Sequence, residues 1–241
     1  MSTTITRKPT VTEHTYFVGA ALATAIIIFA GFARSYYLRA WFETHALPPL
    51  VHVHGLLMTS WIALFLVQTL LIARRHTGLH RRLGAFGAFL ALLIVVIGMI
   101  TVVAAARREV HADPQSPPAI FFLMILGFDI VNLLVFAALI TGAILRRKQR
   151  DWHKRLMLLA TLSLLGPALA RLPLAFFANN VHTLLALDAC IVLCAAIDTA
   201  RHRRLHPVFA WGVPSVVVIF HVAYAIAVTP AWVRLARILI A

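Results

Sequence analysis

The sequence predicts an all-α polytopic membrane protein, a bundle of seven transmembrane helices with its N-terminus in the cytoplasm. Three observations carry this. Of the 241 residues, 61% are hydrophobic and only 12% charged, too apolar for a soluble chain of this length. Apolar runs of about 20 residues, enough to cross a hydrocarbon core of ~30 Å, recur from one end to the other. The basic residues concentrate at alternate connections, as they do around membrane spans.

The runs are 16–34, 50–73, 84–106, 119–145, 156–178, 183–200 and 207–228. The first follows a polar stretch with Arg7, Lys8 and Glu13, and no small-residue cleavage site comes after it, so it reads as a retained span. "LPP" (47–49) precedes the second run and "HADPQSPP" (111–118) the fourth, proline marking each helix start. Cys190 and Cys194 lie four apart in the sixth run. They share a helix face but stand too far apart for an easy disulfide, and read as packing residues. The tail "WVRLARILIA" (232–241) sets Arg234 and Arg237 among apolar residues, the pattern of an interfacial helix. No linker or low-complexity segment divides the chain, which reads as one domain over 1–241.

A net charge of +14 would point to nucleic acid in a soluble protein. Here the positive-inside rule explains it. The N-terminus and the connections after the second, fourth and sixth runs hold 15 of the 22 Lys and Arg residues. Those connections are therefore expected in the cytoplasm, with anionic lipid as the partner of that face, and nucleic acid is not expected. The expected location is a bacterial inner membrane. Three related motifs occupy the same connections: "LHRRLG" (79–84), "WHKRLM" (152–157) and "RHRRLH" (201–206). Two origins stay open, a repeated hairpin or convergent anchoring by snorkelling Arg and Lys with Trp152 at the interface.

Six polar residues lie within or at spans without an anchoring role: His54, Asp129, Asn132, Arg171, Asp188 and His221. At 1.5 Å per residue, Arg171, Asp188 and His221 fall roughly 10 Å from the outer helix ends, His54 about 6 Å and Asp129 about 16 Å. His52 and His182 stand above them. One reading is structural, an Arg171–Asp188 ion pair with histidines specifying helix packing. The other is an outward polar pocket for a metal, a haem or a quinone. Candidate metal ligands are His52, His54, His182, Asp188, His221 and Asp129, although no spacing such as HExxH accompanies them. A b-type haem needs axial histidines from two facing helices. The outer supply is His54, His182 and His221, with His54 and His221 the expected pair and Arg171 at a propionate. The inner supply is His80, His153, His202 and His206. The only lysines are Lys8, Lys148 and Lys154, so no span carries a Schiff-base lysine and retinal is excluded. No phosphate-binding glycine loop is present, so no nucleotide is expected, and no catalytic residue can be assigned.

"HVHGLLMTSWIALFLVQTLLIA…LHRRLG", "WHKRLMLLATLSLL" and "RLHP" together resemble a set of uncharacterised bacterial multi-pass membrane proteins, over about 52–207. "HKRLM" is similar to an element of a small membrane family implicated in haem-copper oxidase maturation. Histidine placement alone resembles that of two-haem transmembrane cytochromes. These resemblances imply a respiratory or redox neighbourhood. The expected function is thus an integral membrane redox protein that binds b-type haem or serves haem and quinone electron transfer. The alternatives are a metal-dependent membrane enzyme acting on a lipid-soluble substrate, or a non-catalytic accessory or assembly subunit of a respiratory complex.

Overall fold

The computed structural model describes residues 11–42 and 46–240, with side chains from His14 onward, so Arg7, Lys8 and the Glu13 side chain lie outside the described residues. Among the described residues the chain is helical, without strands. The helices are α1 (Val11–Phe32), α2 (Pro49–Ala73), α3 (Thr77–Ala112), α4 (Pro117–Leu145), α5 (Arg150–Ser163), α6 (Gly166–Leu169), α7 (Asn180–His202), α8 (Pro207–Ala227) and α9 (Pro230–Ile240). A π-helical turn, Ala33–Tyr37, prolongs α1. Proline opens α2, α4, α8 and α9, where its missing N–H costs nothing. Ser116 and Asn179 accept from the backbone N–H groups of Ala119 and Val181 and so cap α4 and α7.

Six of these helices, α1 with its extension, α2, α3, α4, α7 and α8, are long and apolar enough to cross a membrane. The chain is a multi-pass membrane protein. Its exposed apolar side chains fall at helical spacing, Leu22, Ile26 and Phe29 on α1 and Phe89, Leu92, Val96 and Ile100 on α3, as lipid-facing stripes do.

The predicted fifth span, 156–178, is not one helix. It ends at Ser163 and resumes as the single turn of α6. Pro167 explains the break: it has no N–H for the Ser163 carbonyl four residues earlier, and its ring clashes there. The Thr161 and Ser163 hydroxyls donate back to the Met157 and Ala160 carbonyls. Residues 158–166 are all buried, so the irregular backbone is enclosed by protein, as membrane depth requires. Gly31 of α1 makes room for it. A Cβ there would lie 2.1 Å from the Ala168 carbonyl oxygen, so the backbones of α1 and α6 meet directly.

Packing partners define two ends. At one, the basic end, the Tyr16 hydroxyl donates to the Cys194 carbonyl at 2.6 Å, and Lys154 lies 5.6 Å from the Phe17 ring centre. The starts of α1, α5 and α8 and the end of α7 meet there. The opposite, distal end holds the start of α2, the break after α6 and the start of α7. Helices α1, α2, α3, α4 and α5 form a closed circuit of neighbours, and α8 packs on α4, α5 and α7. Finally, α9 is clamped to α4 and α3: Trp232 Nε1 donates to the Leu123 carbonyl at 2.8 Å, and Arg107 Nε to the Ile240 carbonyl at 2.7 Å. The Trp232 ring occupies the space that a side chain on Gly127 would need.

Candidate functional site

The three basic motifs gather at the basic end, and each does something different. The first lies inside the opening turns of α3 and the second inside those of α5, while the third straddles the end of α7 and the turn before α8. The His80 and His153 rings stand 6.4 Å apart, centre to centre, with their planes at 81°. His153 Nδ1 pairs with the Ala143 carbonyl at 2.9 Å, and Gln68 Nε2 donates to the His80 carbonyl at 3.2 Å. His80 Nδ1 is buried without a hydrogen-bond partner.

Arg155, from the second motif, is buried and forms a fork on Asp198 of α7: Nε to Oδ2 at 2.8 Å and Nη2 to Oδ1 at 3.1 Å. Its Nη1 donates to the Asp151 carbonyl, and Nη2 lies 3.4 Å from Nδ1 of His202 in the third motif. The sequence reading passed over this pair. Its signal was available: Asp198 sits one turn before His202 in an apolar helix, where a lone carboxylate demands a cation. His206 accepts from the Val208 N–H and caps α8, with its ring 5.4 Å from that of Trp152. Burial, and then the charge of Arg155, pushes the His206 imidazole down to about 4, so it stays neutral and keeps the lone pair that the cap needs. These side chains line a pocket of about 390 Å³ with Trp152, Arg204 and Pro207.

The intramembrane polar residues form two separate groups. His221 Nε2 and Asp188 Oδ2 pair at 2.7 Å between α8 and α7, with the other Asp188 oxygen buried and unpaired. This corrects the expected Arg171–Asp188 bridge. Arg171 follows α6 and looks the other way, across Phe32 at 4.8 Å, with Nη1 donating to the Pro167 carbonyl at 2.8 Å. The helix break redirects it, since a straight fifth helix would have carried it on.

His54 and Trp61 lie seven apart on one face of α2, and Asp129, Asn132 and Phe136 share one face of α4. The Trp61 and Phe136 rings meet edge to face at 5.1 Å. A Cβ on Gly98 of α3 would touch both His54 Cε1, at 3.7 Å, and Leu133 of α4. Three polar atoms along this seam are buried without partners: His54 Nδ1, Trp61 Nε1 and Asn132 Oδ1.

Other expected ligands stay apart. α2 is regular from Pro49, so His52 and His54 diverge, and His52 is exposed beside Tyr36 at 5.8 Å. His182 stacks on Phe176 at 4.6 Å at the distal surface. His54 and His221 belong to different groups, α2 packing on α1 and α3, and α8 on α4, α5, α7 and α9. Among the described residues no three His, Cys, Asp or Glu side chains gather as a metal site would need. No family model matches this chain, and neither a curated protein nor a solved structure matches it.

Proposed function

We propose that this multi-pass membrane protein is a redox protein of a bacterial inner membrane, with its basic end in the cytoplasm and a b-type haem held there between His80 and His153. The observation that carries the reading is the face-off of these two imidazoles at 6.4 Å from separate helices, with planes at 81°. Two imidazoles offered by separate helices are the residues that would hold a haem iron. The supporting groups fit as well. The Ala143 carbonyl occupies His153 Nδ1, which fixes the ring and leaves Nε2 free, the outer-shell arrangement of ligating histidines. His80 Nδ1, across from it, is buried and unsatisfied. Arg81 and Arg82, exposed beside it, carry the charge that haem propionates require. A haem bound there supplies a one-electron couple, and the chain's own part is to orient two imidazoles and keep the site apolar.

Purified protein is expected to show a Soret band and a reducible α-band. His80→Ala and His153→Ala should each abolish them, while His111→Ala, far from the pair at the end of α3, should leave them intact. Colourless protein that takes up no added haem would overturn the reading.

A further inference from the structure

We infer that the seam between α2 and α4 is a binding site for the head group of a lipid-soluble quinone. It lies inside the circuit formed by α1, α2, α3, α4 and α5, away from the His80–His153 pair, and stands independently of that reading. Trp61 and Asn132 are 2% and 4% exposed, yet each has a polar atom that the protein leaves unsatisfied. In the membrane interior such atoms cost free energy unless something bonds them. Counting along the helices, Asp129 and Trp61 each lie twelve residues past the start of their helix. At 1.5 Å per residue that is a depth of about 18 Å, with His54 and the Arg171 turn nearer the distal mouth.

The chemistry of the stranded groups selects the ligand. Trp61 Nε1 is only a donor and Asn132 Oδ1 only an acceptor, while Asp129 adds a carboxyl on the same face of α4 as Asn132. A ring with two opposed oxygens, carbonyls when oxidised and hydroxyls when reduced, can use both kinds of partner. The Trp61 and Phe136 rings, edge to face, supply aromatic contact beside these polar atoms. A phosphate would meet the Asp129 carboxyl and find no use for the Asn132 acceptor. A metal ion would strand the Trp61 donor.

The test is photolabelling of the full-length protein in nanodiscs with an azido-ubiquinone carrying a short isoprenoid tail, mapped by mass spectrometry. Label is expected on α2 and α4 peptides around Trp61 and Asn132, and excess unlabelled quinone should compete it away. Asn132→Leu and Trp61→Phe should lower the competed label at least tenfold, while both variants elute as monodisperse protein. Trp61→Phe is the milder change and guards against simple misfolding. His80→Ala should label like the parent, so failure of the haem reading leaves this result unaffected. Label confined to lipid-facing residues, or label that excess quinone does not compete, would overturn the site and leave ordered water as its only occupant.

Discussion

Arg155 engages every face of its guanidinium: Nε and Nη2 on Asp198, Nη1 on the Asp151 carbonyl. Asp198 is wholly buried, so neither charge has water to fall back on. Removing one partner of such a pair typically costs about 3–5 kcal/mol, because the other stays charged and unpaired. Arg155→Ala and Asp198→Ala should therefore each lower thermal stability in detergent by more than the Arg155→Ala/Asp198→Ala double change does; additive losses would mean the two are uncoupled. The pair was hard to read because Arg155 sits in a run of anchoring cations, and only the three-dimensional fold singles it out from Lys154. His206 carries a second consequence at this scale. Its folded value of about 4 lies below the ordinary 6.5, so the folded state resists protonation. Its contribution is whole above pH 6.5 and is lost as pH falls towards 4, since only the unfolded chain takes up the proton there. His206→Asn keeps a capping acceptor but cannot titrate. Its melting temperature should fall less steeply than the parent's between pH 7 and 4, and parallel slopes would rule the imidazole out.

At the scale of elements, the long apolar helices were legible because a hydrocarbon core demands about 20 apolar residues in a row. The fifth passage was not, and for a physical reason. An apolar run satisfies the bilayer whether its backbone is straight or broken, provided protein covers the break. Gly166, Pro167 and Pro173 held the signal, but hydropathy weighs them as neutral. The break then decides where Arg171 goes, which is why depth alone paired it with Asp188 and the fold sets it against Phe32 and the Pro167 carbonyl. Gly31 should be the sensitive point of this arrangement. Gly31→Ala drives a methyl into the Ala168 backbone, which cannot swing aside as a side chain would. Overpacking of this kind costs typically 1–3 kcal/mol. Gly19, twelve residues earlier on the same helix, has nothing within 4 Å of its would-be Cβ. Gly19→Ala should be neutral or slightly stabilising by thermal melting in detergent, and equal losses at both glycines would show that α1 and α6 do not meet there.

For the whole molecule, charge and packing point the same way. The starts of α1, α5 and α8 meet at the end where the three motifs gather, and the distal end has fewer cations. The proposed topology counts α5 with α6 as a further passage between the ends, beside the six unbroken helices. Such an odd count would put the start of α1 and α9 on opposite sides. With the motif end in the cytoplasm, as proposed from the excess of Arg and Lys, Gln115, between α3 and α4, should face outward, and Gln149, between α4 and α5, inward. The native cysteines, Cys190 and Cys194, are half-buried within α7, a helix long and apolar enough to span the membrane, and a parent chain without the added cysteine gives their background. A cysteine in place of Gln115 should react with a membrane-impermeant maleimide in intact cells, and one in place of Gln149 only after the cells are opened. The reverse pattern would invert the orientation, and with it the side proposed for the His80–His153 pair. Labelling of both in intact cells would mean that α4, which separates them, does not cross the membrane.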